Sequence, residues 1–405
     1  KRPMQPWSPP VPDVKPPHVK FSSSTDLTAN FKRLLASPNI CSKRWIFEQY
    51  DSMVQSNTVE GPGADAGLMR IKPPQHAQNP TRVPGTPSGA SSQRALAMAL
   101  DGNGRWCWLA PKLGAMHAVA EAARNVSCTG ATPLAATNCL NFGNPEKPQI
   151  MGQFSEVVDG VAAACEALET PITGGNVSLY NETLGEGIYP TPVIGVVGMI
   201  ENVGDAMTFH FRQPDRDVFL LSGGAPADAA RSETEFGSSE YAKEILGGVW
   251  GTPPALDLGQ EAALQKCVRE LILADDVESV HDCSDGGLAV ALAESAFPKV
   301  VGAEIDLNST SALAEAVLFG EDATRVVISC DPKKSESIKR MAVKWGLRAK
   351  RIGRTIPEKL VIKVDGTIAV SAGVSELRQV WDTALLRALH AETPEHLVPE
   401  VLQKS

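Results

Sequence analysis

No lysine follows the pair Gly174-Gly175, and no Cys-x-x-Cys pair occurs among the eight cysteines. These absences exclude a Walker phosphate loop there and leave zinc sites and disulfide frameworks unsupported. The longest clean apolar stretch, Pro192–Ile200, is too short and too broken by glycine to cross a bilayer. The first residues lack the shape of a signal peptide. The cysteines (41, 107, 128, 139, 165, 267, 283 and 330) are scattered, which fits reduced, mostly buried thiols in a cytoplasmic protein. A formal net charge of −9 argues against a general binder of nucleic acid or of an anionic membrane, but leaves room for a local positive site. What is present is ordinary for a globular protein: 405 residues, 43% hydrophobic and 21% charged, enough for two or three domains with sizeable cores.

Lys1–Lys20 is proline-rich and reads as a linker or a strap rather than core. Short helices are expected over Leu27–Leu35 and Lys43–Tyr50, a turn over Val59–Gly63 and a strand over Gly67–Lys72. Gln75–Ser92 is polar and rich in Pro and Gly, hence a loop. Strands are expected at Ala95–Leu100, Pro133–Leu140 and Pro192–Ile200, with a helix at Lys112–Val126. Pro148–Leu168 is the clearest helix. Met151, Phe154, Val158, Val161, Ala162, Cys165 and Leu168 recur at helical spacing and are expected to form its core face. From about Asp217, strands at Val218–Ser222, Val280–Ser284, Ala303–Leu307, Arg325–Cys330 and Lys359–Val364 are interspersed with helices at Gln260–Leu273, Gly287–Phe297, Ser335–Trp345 and Val374–Leu389. Such a pattern gives layered α/β packing. Ala391–Ser405 is a polar tail.

The run from Pro171 to Glu182, Pro-Ile-Thr-Gly-Gly-Asn-Val-Ser-Leu-Tyr-Asn-Glu, is the most informative. An apolar approach ends in two glycines, followed by an amide, a hydroxyl and a carboxylate. It reads as a tight turn whose N–H groups form a concave anion site, with Asn176 and Glu182 offering oxygens that suit Mg²⁺. A ligand-free turn would need the same glycines.

Around it stand Asp101-Gly102-Asn103-Gly104-Arg105, Glu121-Ala122-Ala123-Arg124-Asn125, Ala136-Thr137-Asn138-Cys139-Leu140-Asn141-Phe142-Gly143-Asn144-Pro145-Glu146 and Tyr189-Pro190-Thr191-Pro192-Val193-Ile194-Gly195. Together these runs resemble the formylglycinamide ribonucleotide amidotransferase family, or phosphoribosylformylglycinamidine synthase, of purine biosynthesis. The resemblance covers about Leu35 to Leu389 and is most specific from Asp101 to Gly198. The family's synthetase chain is an internal duplication of an A domain and a B domain, and this sequence is similar to the second copy. It starts at Lys1 without Met, and none of its seven histidines lies in the family's Ser-His-Asn-His motif. The expectation is a fragment, or one polypeptide of a cut enzyme, with no catalytic residue of its own.

The resemblance implies an α+β or α/β architecture: a linker (1–34), an aminoimidazole-ribonucleotide-synthetase-like A domain (35–205), a mixed-sheet α/β B domain (206–389) and a tail (390–405). The A-domain sheet would pair with the first copy into a barrel-like pseudodimer. The implied reaction uses ATP and Mg²⁺ to activate an amide oxygen, and ammonia then displaces phosphate. The implied partners are the N-terminal synthetase half, and a glutaminase subunit and a small accessory subunit that supply ammonia. No nucleic acid or membrane is implied.

By the same resemblance, ATP contacts fall on Asn138 and Gly175, the metal ligand on Asn176 and a substrate contact on Ser178. Each has a plainer reading: Asn138 as a turn cap, Gly175 as backbone geometry, Asn176 in a left-handed conformation, Ser178 as a hydroxyl facing water. The chain departs from the family at Asn138, where Asp is usual, and at Ala110-Pro111, where Asp-Pro is common. In Phe319-Gly320-Glu321-Asp322-Ala323-Thr324-Arg325, Asp322-Ala323 replaces Ser-Gln, which reads as a structural remnant of a substrate loop. In His281-Asp282-Cys283-Ser284-Asp285-Gly286-Gly287, Ser284 and Asp285 are expected to cap the following helix rather than hold an anion. Two alternatives remain: another ATP-dependent enzyme of the superfamily, such as selenophosphate synthetase or thiamine-monophosphate kinase, or a non-catalytic nucleotide-holding scaffold.

Overall fold

The computed structural model describes residues 3–53, 56–72, 93–224, 229–309 and 313–391. The loop expected at Gln75–Ser92 and the tail beyond Ala391 lie outside the described residues. In the first part of the chain come α1 (Thr28–Leu35), α2 (Arg44–Phe47), β1 (Thr58–Glu60), β2 (Gly67–Arg70), β3 (Ala95–Asp101), α3 (Gly104–Leu109), α4 (Pro111–Cys128), β4 (Thr132–Asn141), α5 (Pro148–Ala167), β5 (Ile172–Ser178), the small hairpin β6 (Glu182–Thr183) and β7 (Glu186–Gly187), and β8 (Thr191–Ile200). The second part holds β9 (Asp217–Ser222), α6 (Ala229–Phe236), α7 (Glu240–Glu244), α8 (Leu258–Leu273), β10 (Ser279–Asp282), α9 (Gly287–Ala296), β11 (Val301–Leu307), α10 (Ala314–Phe319), β12 (Arg325–Cys330), α11 (Ser335–Lys344), β13 (Arg348–Pro357), β14 (Lys359–Val364), β15 (Thr367–Gly373) and α12 (Val374–Ala391).

The first sheet has the order β1-β2-β3-β8-β4-β5, and its only parallel pair among the described residues is β4–β5. Side chains alternate between its faces. One face buries Ala95, Ala97, Ala99, Ala136, Leu140, Ile194 and Val196 with the residues of α4 and α5. The other face is open. On it lie Leu96, Met98 and Leu100 of β3, and Leu100 is 75% exposed. The second sheet has the order β10-β12-β9-β13-β11-β14-β15, mixed through the parallel pair β11–β14. It is covered on both faces: α1, α9, α10 and α12 share one core with Val218, Ile305 and Ile352, while α8 and α11 share another with Phe219, Leu221 and Ile328. A mixed α/β layering is therefore present in both units, and the first sheet is not closed into a barrel within this chain.

Several expectations need correction. Val59 stands in β1, not in a turn. The glycines of the informative run lie inside β5, an edge strand, and neither Gly174 nor Gly175 has positive φ. No concave nest of successive amides forms there, because an extended strand points its N–H groups alternately to the two sides. On α5 the buried face is rotated from the expected stripe: Val158 and Ala162 are exposed, while Gly152, Gln153, Val157 and Gly160 are buried. Close helix packing is the cause, since a Cβ on Gly160 would lie 2.2 Å from the Lys112 carbonyl at the start of α4.

The proline-rich start is a strap. Gln5 N–H donates to the Pro148 carbonyl at 3.0 Å, Trp7 Nε1 to the Trp108 carbonyl at 2.5 Å, and the Pro12 carbonyl accepts from Gly251 N–H at 2.9 Å. Val19 is buried in the second unit, as are Phe31, Leu34 and Leu35 of α1. The segment read as linker over 1–34 thus contributes to the core of the second sheet.

Candidate functional site

The four residues singled out in the sequence meet on adjacent strands. In the β4–β5 ladder Asn138 stands opposite Gly175, and Asn141 opposite Ser178. Asn138 belongs to the helix-covered face with Ala136 and Leu140, and its side-chain amide has no hydrogen-bond partner among the described residues. It lies over the Gly175 α-carbon: a Cβ there would come within 2.2 Å of Asn138 Oδ1 and 2.7 Å of the Asn138 carbonyl. Gly175 is thus required by close approach, not by an unusual φ. Asn176 and Ser178 point to the opposite, open face with Thr137, Cys139 and Asn141. Asn176 Nδ2 touches Cys139 Sγ at 3.7 Å, and Ser178 Oγ donates to Asn181 Oδ1 at 3.2 Å. The turn-cap reading of Asn138 and the left-handed reading of Asn176 both fail, since each residue is extended within a strand.

The four residues divide two and two across the sheet. β5 is its outermost strand and is exposed from Ile172 to Val177. A ligand that touches all four must lie across the free edge of β5. The open face is itself divided: Leu96, Met98 and Leu100 make its β3 side apolar, while Thr137, Asn141, Asn176 and Ser178 make its β4–β5 side polar and uncharged. Among the described residues no group of three His, Cys, Asp or Glu side chains is arranged to hold a metal ion. Asn176 offers one neutral side-chain oxygen of the hard type that Mg²⁺ accepts, enough for one ligand of such an ion and no more.

A second constellation, not assigned any role from the sequence, fills the seam between the two units. α4 lies between the first sheet and the second unit, and carries Glu121, Arg124 and Asn125 into that seam. Arg124 grips Asp282 of β10 with two nitrogens, and its Nη1 reaches Glu261 of α8 at 2.9 Å. Asn125 donates to Asp101 at 2.9 Å. Burial, with Asp282 nearby, pushes the Asp101 carboxyl up to about 7 despite that bond. Burial, then Asp101 and Asp282, hold Glu121 well above the usual carboxylate range. Asp282 is raised too, because burial outweighs the pull of Arg124.

Farther along the seam, Arg105 of α3 donates to the Ser238 carbonyl at 2.7 Å and lies between Glu240 and Glu321, its Nη2 3.6 Å from Glu321. Burial and Asp285 push Glu321 up to about 8. His281 bridges Asp65 at 3.0 Å and Glu294 at 3.3 Å; burial alone would lower its pKa, but these two acids hold it well above the ordinary range. The expected capping by Ser284 and Asp285 is not found. Gly286 and Gly287 both take positive φ, and that left-handed turn aims the Gly286 N–H at Glu321 Oε1, 2.8 Å away. The helix end is capped from the Phe319–Arg325 loop instead, while Asp285 accepts from Asn39 at 2.8 Å. The signal for this seam was available in the sequence: Glu121, Arg124 and Asn125 interrupt a helix face of Ala118, Val119, Ala122 and Val126 that has no reason to meet water.

Comparison with known proteins places both units. Residues 83–200 match the AIR synthase related protein N-terminal domain, and residues 217–365 its C-terminal domain. The phosphoribosylformylglycinamidine synthase subunit PurL of Moorella thermoacetica is 44% identical over 348 residues, 86% of this chain and 44% of that protein. The PurL subunit of Anaeromyxobacter dehalogenans strain 2CP-1 is 42% identical over 382 residues, 91% of this chain and 47% of that protein. The chain thus spans a little under half the length of these relatives. Among solved structures, Thermotoga maritima PurL complexed with FGAR superposes with a TM-score of 0.66 at 16% identity, covering 86% of this chain and 53% of that one. The same protein complexed with ATP gives 0.57 at 17% identity, covering 70% and 44%. Both domain matches show that this chain belongs to the AIR synthase related family, and the relatives above 40% identity that it is similar to are PurL subunits of phosphoribosylformylglycinamidine synthase.

Proposed function

We propose that this chain is the second half of a PurL-type synthetase and supplies nucleotide, metal and substrate contacts for the ATP-dependent conversion of formylglycinamide ribonucleotide to its amidine. One observation carries this reading: Asn138 and Gly175 lie on one side of the exposed edge strand β5, and Asn176 and Ser178 on the other. In this reading Asn138 and Gly175 hold ATP from the helix side, Asn176 would be one ligand of a bound Mg²⁺, and Ser178 meets the acceptor substrate on the open side. Asn138 offers a side-chain oxygen acceptor like the more usual Asp, without its charge. A bound Mg²⁺ would supply charge neutralisation for phosphoryl transfer, and positioning by these residues would supply most of the rest. The apolar β3 side of the open face, with Met98 and Leu100, is where the N-terminal half docks. A glutaminase subunit and a small accessory subunit deliver ammonia from glutamine to this cytoplasmic assembly.

The test is reconstitution with an N-terminal half, assayed with ATP, ammonia and formylglycinamide ribonucleotide. Asn176→Ala and Ser178→Ala are expected to lower kcat/KM at least about tenfold, about 1.4 kcal/mol of transition-state stabilisation. Unchanged kinetics in both variants, or steady turnover by this chain alone, would overturn the reading.

A further inference from the structure

A cleft of about 470 Å³ lies on the second unit, away from the β4–β5 edge. It opens where β9 and β11 end and β12 and β13 begin, so four strands present their tips on one side. Its floor is apolar, with Leu220 and Ile352 from the sheet and Leu288 and Val317 from α9 and α10. Its rim is polar, with Ser222, Gly223 and Gly224 after β9 and Thr324 before β12. The volume falls within the usual range for small-molecule sites.

The charges decide what fits. Arg348 and Lys350 are two residues apart on β13 and opposite Ser222 and Leu220, so both share the cleft's face of the sheet. Among the described residues neither meets a carboxylate in an ion pair, whereas Arg351 and Arg354 on the same strand pair with Asp217 and Glu304. Arg348 makes only a long contact, 3.4 Å, to the Gly223 carbonyl. The three acids in the wall are already engaged. Asp322 pairs with Arg325 at 3.3 Å, Asp257 caps α8 through the Gly259 and Gln260 N–H groups at 2.8 and 3.0 Å, and Glu235 accepts from Ala255 N–H at 3.1 Å. Among the described residues two cations without a direct ion pair therefore stand over an apolar floor, with Asp257 and Glu235 held on backbone N–H groups in the wall. The Gly224 N–H, now 3.3 Å from the Gln260 side chain, and the Ser222 hydroxyl lie around the same cleft, while the Thr324 hydroxyl is spent on Glu261 at 2.7 Å.

We propose that this cleft binds a small organic phosphate with an apolar or planar body, the phosphate held by Arg348 and Lys350 and the body lying on Leu220, Val317 and Ile352. A dianion with three acceptor oxygens matches two cations and neighbouring N–H and O–H donors better than a single carboxylate does. The Phe319–Arg325 loop, read from the sequence as a structural remnant, is then one wall of a working site. The site is separate from the β5 edge and does not depend on the catalytic reading.

The experiment is calorimetric titration of this chain with adenosine 5′-monophosphate, adenosine and inorganic phosphate. The monophosphate is expected to bind one to one, with adenosine and phosphate each at least about tenfold weaker. Arg348→Ala/Lys350→Ala should weaken the monophosphate at least about tenfold with the melting temperature unchanged, and Val317→Trp should do so by filling the floor. Asn138→Ala, at the β4–β5 edge, should leave it unaffected. No binding of the monophosphate at millimolar concentration overturns the proposal. So does binding insensitive to the Arg348/Lys350 pair, or binding lost in Asn138→Ala. Inorganic phosphate binding as tightly as the monophosphate overturns the assignment of the floor.

Discussion

Replacing Arg124 by Met tests the seam between the two units most directly. The guanidinium is 3% exposed and is gripped by Asp282 and Glu261, with Glu121 and Asp101 nearby. Met keeps most of the side-chain volume but withdraws the cation, leaving at least two buried carboxylates without their partner. Removing one member of a buried ion pair costs about 3–5 kcal/mol, mostly the penalty for the charge left behind. The cost should depend on pH, and its sign follows from the carboxyls. Asp101, Glu121 and Asp282 are all raised above their ordinary values, Asp101 to about 7. Their contribution to stability is therefore full below the unfolded values near 4 and is lost as pH rises through the folded ones. Without Arg124 these folded values rise further, and each added unit is about 1.4 kcal/mol. Arg124→Met should thus lose about 3–5 kcal/mol at pH 8 and at least about 1 kcal/mol less at pH 5.5. Adding Asp282→Leu should recover part of the loss, as expected for coupled neighbours. Urea unfolding at the two pH values measures this. A loss under about 1 kcal/mol, or one equal at both pH values, would refute the claim that Arg124 holds these acids together.

Gly175→Ala should push Asn138 off β5 and cost about 1–3 kcal/mol by overpacking, with weaker ATP binding in the reconstituted halves; unchanged melting and affinity would show that the close approach is relieved at no cost. Leu100→Glu with Met98→Lys should convert a self-associating chain into a monomer on light scattering while changing stability by no more than about 0.5 kcal/mol, as expected for exposed positions; a wild-type chain that is already monomeric at high concentration counts against the docking face. His281, raised by Asp65 and Glu294, stabilises fully below its unfolded pKa near 6.5 and loses that contribution as pH climbs through its folded value. The alkaline fall in melting temperature should therefore flatten in His281→Gln, and an identical pH profile would remove His281 from the interface.

Long periodic elements were legible in the sequence because burial imposes a repeat on them: β8, α8, α9 and α12 lie within a few residues of where their patterns place them. Three kinds of feature were not. Glycine signals a turn in one dimension, but at Gly175 it serves a close approach that appears only when β4 is laid beside β5. Small residues hide buried faces, so the face of α5 around Gly152 and Gly160 lost to the more hydrophobic Val158. β13 carries Arg348, Lys350, Arg351 and Arg354 with a glycine between, and presents no apolar alternation although it is central to its sheet. The motif singled out the four edge residues as candidates. Their division across two faces was not, because it depends on the register of a parallel pair.

The strap gives the seam a mechanical property. Between Gln5 and Val19 it is fastened in turn to the Pro148 carbonyl, the Trp108 carbonyl, Gly251 and the core of the second unit. A hinge motion that parted the two units would have to peel these fastenings, and their loss would be felt together rather than one by one. The strap thus ties α3 and α5 of the first unit to the second, and the two sides of the seam are held by a segment that belongs to neither sheet.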